Sequence, residues 1–278
     1  MIKDIKVFVA DIDGTLALKG DNLMPRTRAA LERLHAEGVL IGPASGRPLD
    51  QSLLNKAKEW NLSFEFDFAI GMNGGDLWTK ETNKIERLYY LQPDVIRKIL
   101  NFVWDLDLNA ILYKDAYAFI KAKRMDDFLR DSQRRNHSYI EIGDIDFCSE
   151  DETGKIECQM SRKVVPLLME RIAQNKSSEW DWVKTFELDD HVSIEFQDPR
   201  VHKGVAVERY AQTKNITLSE VIAFGDMQND LGMLKTAGWG VCLLNGCEEC
   251  KEAAQAVTEH PVTDDGVGHY LEDHWFNK

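Results

Sequence analysis

No uninterrupted apolar stretch in the chain approaches the ~20 residues that a membrane-spanning helix needs, so no membrane partner is expected. The opening Met1-Ile2-Lys3-Asp4-Ile5-Lys6 lacks the long apolar core and the cleavage pattern of a secretory leader, and a cytoplasmic location is the default expectation. Long Lys/Arg runs are missing too: 47 acidic residues stand against 34 basic ones, for a net charge of −13. Such a surface repels phosphate backbones at long range, which argues against nucleic acid as a partner. It still allows a small anionic substrate wherever a metal and a few cations correct the field locally. Cysteine is scarce, and the five present (Cys148, Cys158, Cys242, Cys247 and Cys250) are too few and odd in number for a disulfide-stapled secreted scaffold. Cys247 and Cys250 form a C-x-x-C with no second ligand pair at short range, and read as free thiols at a helix start rather than a zinc site. No internal repeat or low-complexity tract is present, and no feature specifies an oligomeric state.

What remains is ordinary for a folded soluble protein: 278 residues, 44% hydrophobic and 29% charged, enough for one large domain or two smaller ones. The most informative stretch is Val7-Phe8-Val9-Ala10-Asp11-Ile12-Asp13-Gly14-Thr15-Leu16. Its short apolar run suits a strand buried on both faces of a parallel sheet, and Asp11 sits where that strand ends. In open α/β sheets ligands bind outside the carboxyl ends of the strands. Asp11 and Asp13, two apart on extended chain, face the same general way and can hold a hard cation. Taken alone, the stretch reads equally well as an Asp-Gly turn in solvent.

The pattern repeats. Helical spacing from Arg26 to Glu37 ends at Gly38, and Val39 to Ala44 reads as a second buried strand leading into Ser45-Gly46-Arg47-Pro48, a hydroxyl with free N–H groups at a helix start. Leu49 to Trp60 predicts a helix, and Phe66 to Ile70 a third buried strand of the same sheet, ending in Gly71-Met72-Asn73-Gly74-Gly75. Asn73 can reach a ligand from there or simply make the turn. Asp76 to Lys80 and Ile85 to Tyr90 predict a hairpin. Alternation of strand and helix gives an α/β class with a doubly wound, Rossmann-like parallel sheet.

Between about Leu91 and Gln197 the pattern changes to that of an inserted α+β unit. Helices are expected at Pro93–Leu106, Arg124–Arg135 and Val164–Gln174. Strands are expected near Ala110–Tyr113, Tyr117–Ile120, Ile156–Met160, Trp182–Leu188 and Val192–Phe196. The acidic stretch 143–154 lacks calcium-loop spacing and reads as a solvated loop. Trp104, Trp180 and Trp182 read as core of this unit; His202 reads as a bystander next to Lys203, and His137, His191 and His269 have no ligand-spaced partners. The domain division expected is 1–90 with 198–278 as the core and 91–197 as the insertion.

From Asp198 the first pattern returns. Lys203-Gly204 opens a helix through Thr213, Val221 to Phe224 is a buried strand ending in Gly225-Asp226-Met227-Gln228-Asn229-Asp230, and a last helix starts at Gly266. Three strand ends therefore deliver Asp11 with Asp13, Ser45, and Asp226 with Asn229 and Asp230 to one sheet edge. Carboxylates so gathered repel unless a cation joins them, and oxygen donors point to Mg²⁺. A metal, a hydroxyl, backbone donors and Lys203 are the parts of a phosphoryl-transfer centre. Asp11, first past the strand, is the expected nucleophile, and Asp13 the acid/base.

These motifs resemble, in order, those of the haloacid dehalogenase superfamily: Asp11-Ile12-Asp13-Gly14-Thr15-Leu16, Ser45, Lys203, and Gly225-Asp226 with Asn229-Asp230. Ser45-Gly46-Arg47-Pro48, Asn73-Gly74, Lys203-Gly204 and Asp264-Asp265-Gly266-Val267 resemble the Cof-type phosphatase branch, whose C2-type cap the insertion is similar to. The resemblance implies a Mg²⁺-dependent phosphatase that forms an aspartyl phosphate on small phosphorylated metabolites, sugar phosphates or related compounds. It implies Asp11, the Asp13 backbone carbonyl and Asp226 on the metal, with Asp230 supporting the metal shell or orienting Lys203. Ser45, with Gly46, and Lys203 would hold the phosphoryl group, joined by Asn229, while Arg47 and Asn73 would contact substrate. A phosphomutase of the phosphomannomutase type is the alternative enzyme. A phospho-Asp signalling module is the alternative of another class, against which stand Asp13 and the insertion.

Overall fold

A computed structural model describes residues 4–18 and 20–277. The chain divides into two compact units, residues 1–88 with 202–278 and residues 89–201. The first is built on a five-stranded, all-parallel sheet in the spatial order Ala256–Val257, Trp239–Cys242, Val221–Gly225, Val7–Ala10, Leu40–Pro43. Val7–Ala10 is central, with Val7 level with both Val221 and Leu40, and every residue of it is buried.

Alternation along the strands divides the core into two layers. Phe8, Ala10, Ile41 and Phe224 face Leu31 and Leu34 of the Pro25–Ala36 helix and Leu271 of the Gly266–Leu271 helix. Val7, Val9, Val221 and Ala223 face Val207 and Tyr210 of the Lys203–Thr213 helix and Leu234 of the Leu231–Thr236 helix. Helices on both faces make the sheet doubly wound, and burial on both faces is why its strands read as continuous apolar runs. Among the described residues, no helix is long and apolar enough to cross a membrane.

The third expected strand departs from expectation. Phe68–Gly71 pairs antiparallel with Asp76–Thr79, and that strand with Lys84–Arg87, in a separate three-stranded sheet. It meets the parallel sheet through one bridge, Ala44 with Ile70, where Ser45 N donates to Ile70 O at 2.8 Å. The reason is Pro43. Amides on that side of Leu40–Pro43 would come from Ile41, residue 43 and Ser45; Pro43 has none, and Ile41 N donates instead to the Asp67 side chain at 2.8 Å. The helix expected over Leu49–Trp60 is also divided, into Gln51–Leu54 and Lys56–Glu59, at Asn55, whose ψ of −4° departs from the helical value.

The second unit is a six-stranded sheet in the order Asp181–Leu188, His191–Gln197, Ile156–Ser161, Leu108–Asp115, Phe119–Ala122, Tyr139–Ile142, antiparallel except for the last pair. The strand at Tyr139–Ile142 has no counterpart in the sequence reading. Helices Pro93–Val103 and Val165–Gln174 pack on one face, over Ile156, Cys158, Ile194 and Phe196. Trp180 is buried in that layer, and Trp104 and Trp182 pack against it. The stretch 143–154 is not a solvated loop. Asp144 caps a short helix, Ile145–Cys148, by accepting from Phe147 N, and Leu91 and Thr153 exchange backbone hydrogen bonds. The buried Lys121 ammonium donates to Phe147 O, Glu150 and Asp151. Two of its acidic residues, Glu150 and Asp151, hold an interior cation, which spacing alone did not reveal.

Candidate active site

Asp11 prolongs the central strand by one hydrogen bond, its N–H donating to Phe224 O at 3.0 Å, and the chain then turns sharply. Gly14 makes that turn at φ +96°, and a Cβ there would lie 2.5 Å from Asp226 Oδ2. Only glycine lets the first strand end sit this close to the Asp226 carboxylate. Thr15 completes the approach, its hydroxyl donating to Asp226 Oδ1 at 2.6 Å.

Lys203 lies between Asp11 and Asp230, fully buried, as the first residue of its helix. Gly204 lets that helix approach the 231–236 helix, since a Cβ there would be 2.4 Å from Gly232 O. From this position Lys203 Nζ donates to Asp11 Oδ1 and to Asp230 Oδ1, each at 2.5 Å. The other Asp230 oxygen accepts from the backbone of Asp226 at 2.9 Å and of Met227 at 3.0 Å. Asp230 thus clamps the turn after the Val221–Gly225 strand and fixes the lysine at once.

The electrostatics follow from three buried carboxylates around one ammonium. Burial pushes Asp11 up to about 7: Lys203 opposes this but is outweighed, and Asp230 and Asp226 add to it. Burial likewise pushes Asp226 up to about 6, against the Thr15 hydrogen bond and with Asp230 adding. For Lys203 burial favours the neutral amine, but Asp11 and Asp230 prevail and hold it charged. One carboxylate oxygen from each of Asp11, Asp226 and Asp230 lies within 4.8 Å of the others. The donors are all hard oxygens with an excess of negative charge, a set that fits Mg²⁺ and not a thiophilic ion.

The other sequence candidates form a rim of two pairs. Arg47 donates to Asp13 Oδ2 at 2.5 Å, with both side chains about two-fifths exposed (40% and 36%). Asn229 Nδ2 donates to Asn73 Oδ1 at 3.1 Å, and a Cβ on Gly46 would lie 2.8 Å from that same Asn73 oxygen. Ser45 is buried and bonds to a member of each pair: its Oγ accepts from Arg47 N at 3.2 Å and its carbonyl from Asn73 N at 3.2 Å. Asn73 is held at φ +54°, in the left-handed region that Asn tolerates better than most residues. Sequence reasoning missed Asn245, which donates to Gly14 O at 2.9 Å and accepts from Val262 N at 2.8 Å, tying the Gly14 turn to the loop before the last helix. Its signal was available, since Asn245 follows another buried strand end. Cys247 N donates to Asp226 O, and the Cys250 thiol to Met227 O at 2.9 Å, so the C-x-x-C props the Asp226 turn from behind.

The family model described as haloacid dehalogenase-like hydrolase matches residues 8–271. The chain is 26% identical over 274 residues to the 5-amino-6-(5-phospho-D-ribitylamino)uracil phosphatase YcsE of Bacillus subtilis, covering 98% of this chain and 96% of that one. It is 27% identical over 271 residues to an HMP-PP phosphatase of Cronobacter sakazakii, covering 96% and 94%. The crystal structure of TM0651 from Thermotoga maritima superposes with a TM-score of 0.80 at 25% identity, covering 97% of each chain.

Proposed function

The chain belongs to the haloacid dehalogenase-like hydrolases, as a phosphoric monoester hydrolase of their Cof type, and from that premise we propose that it hydrolyses small soluble phosphomonoesters through a phosphorylated Asp11. The observation that carries this reading is the fully buried Lys203 bridging Asp11 and Asp230 beside the Asp226–Thr15 pair. It fixes one oxygen of Asp11 and leaves the carboxylate's second oxygen to attack.

In the first half-reaction an Asp11 oxygen bonds to phosphorus as the ester P–O bond breaks. Asp13 gives its proton to the departing alkoxide. In the second, Asp13 takes a proton from water, whose oxygen attacks phosphorus, and the acyl phosphate bond breaks to return the Asp11 carboxylate and free phosphate. Lys203 neutralises charge on the phosphoryl oxygens and is held by Asp230. Ser45, the Gly46 backbone and Asn229 supply further donors. Arg47 restrains Asp13 and, when a phosphate dianion enters, has a second anion to engage; Asn73 fixes Asn229 for the same contact. Asp11, the Asp13 carbonyl and Asp226 are the residues that would hold Mg²⁺, with Asp230, both of whose oxygens already accept hydrogen bonds, supporting them. When bound, the ion supplies positive charge against the substrate's phosphoryl oxygens. The insertion, 91–197, is read as a C2-type cap that selects the substrate. The relatives are named as phosphatases of 5-amino-6-(5-phospho-D-ribitylamino)uracil and of HMP-PP, which supports a small phosphorylated metabolite as the substrate.

A panel of phosphorylated metabolites assayed for free phosphate tests this, with a hexose 1-phosphate among them. Release of phosphate is expected; conversion to the 6-phosphate without it would identify a mutase instead. The pocket also sets a pH dependence. Asp11 and Asp226 hold protons up to about 7 and about 6, so a cation must displace protons below that range. Their raised values mean that they favour the metal-free fold most at low pH, and that this contribution falls as pH rises above the ordinary carboxylate value of 3.8 and is gone once pH has passed 6–7. The thermal stabilisation by Mg²⁺ is therefore expected to grow from pH 5 to pH 8, with protons released on binding. A stabilisation that is flat or shrinks over that range would contradict the proposed ligand set.

A further inference from the structure

The end of the core unit carries donor atoms that hydrolysis does not use. His260, Asp264 and His269 each offer one donor within 4.8 Å of the other two. The sequence reading gave His269 no ligand-spaced partner. The turn at 261–265 supplies one, bringing the His260 ring against it with centroids 4.0 Å apart and planes 15° apart. His260 Nδ1 meets Asp264 Oδ2 at 2.6 Å, and among the described residues the His269 ring nitrogens have no hydrogen-bond partner. Both rings are half-buried and Asp264 is exposed, so ions can reach all three.

The backbone beneath them is fixed. Buried Asp265 accepts from Arg26 N at 2.7 Å, Thr27 N at 2.8 Å and the Thr27 hydroxyl at 2.6 Å, pinning the turn to the first helix. Thr258 donates to His260 O at 2.6 Å, and Gly266 passes so close that a Cβ would lie 2.3 Å from that oxygen. Donors on a fixed backbone lose little entropy on binding an ion.

We propose that His260, Asp264 and His269 form a second cation site, separate from the acidic pocket, for a borderline divalent transition ion of the Zn²⁺, Co²⁺ or Ni²⁺ class. Two imidazole nitrogens and one carboxylate select those ions, whereas Mg²⁺ prefers the all-oxygen pocket. Bonds of about 2.0–2.1 Å ask the donors to draw together by roughly 1–2 Å. The two rings lie only 15° from parallel and aim their in-plane lone pairs side by side, so binding also swings one ring out of the stack, which the broad terminal torsion of a His ring allows. Asp264 serves either as third ligand or by orienting the His260 ring through Nδ1, a contact worth roughly 10–100-fold in metal affinity.

The test is a Co²⁺ titration followed by visible absorption, with millimolar Mg²⁺ present to occupy the acidic pocket. One Co²⁺ per chain is expected, with no thiolate charge-transfer band. His269→Phe, which keeps the ring stack but removes the donors, and His260→Ala should each weaken binding at least tenfold. Asp264→Asn should weaken it by about tenfold, and Asp226→Asn should leave it unchanged. Metal-free melting temperatures check that each variant folds. Undiminished binding by His269→Phe, loss of binding in Asp226→Asn, or a thiolate band pointing to Cys247 and Cys250 would each overturn the proposal. The outcome does not depend on whether the chain hydrolyses phosphate.

Discussion

Replacing Asp11 with Asn is expected to lower turnover of an aryl phosphate by at least ~10³-fold while leaving the protein folded, because the substitution removes an attacking oxygen and almost no volume. The metal-free stability should hold or rise. Asp11 is a buried carboxylate facing Asp226 and Asp230, and burial with those like charges raises its pKa to about 7 despite Lys203. Asn removes that repulsion, and Lys203 keeps its second partner, Asp230, at 2.5 Å. Initial rates with and without Mg²⁺, alongside a thermal melt, separate the two effects. Retained turnover in the folded variant would remove Asp11 from the mechanism.

Lys203→Met is expected to do the opposite on the second axis and cost both activity and stability. The lysine is wholly buried, and its ammonium is the one charge described between Asp11 and Asp230. Removing one partner of a buried ion pair costs about 3–5 kcal/mol, because the charges left behind stay desolvated and unpaired. Part of that loss should be recovered at low pH, where Asp11 takes up a proton, or by filling the pocket with Mg²⁺. Denaturant melts at pH 5 and pH 8 measure it. A Met variant as stable as the parent at pH 8 would show that the lysine does not hold this pocket together.

The contrast between these variants reflects what the sequence could and could not convey. Asp11, Ser45 and Asp226 were legible because strands buried on both faces are written as apolar runs, and a polar residue at the end of such a run marks the sheet edge. The helix at Lys203–Thr213 was legible too, but the direction of its first side chain was not. Gly204 and Gly232 fix that direction by their close packing, and spacing does not encode it. The double use of Asp230 depends on a turn only three residues long, and the Arg47–Asp13 pair on two loops 34 residues apart. Pro43 could have warned that Phe68–Gly71 would not join the parallel ladder, since a missing amide is visible in the sequence. Lys121 and the acidic stretch it organises could not be anticipated, because a buried cation and its distant partners leave no periodic trace.

The central claim is that Asp11 carries the phosphoryl group between the two half-reactions. Its most direct test is acid quench of the enzyme within its first turnovers on a phosphate-labelled substrate, followed by peptide mass analysis. The account predicts one phosphoryl group per chain on the peptide containing Asp11, lost on incubation with hydroxylamine and absent from Asp11→Asn. Label on another residue, or steady turnover with no labelled enzyme and burst-free kinetics in the same quench, would contradict it.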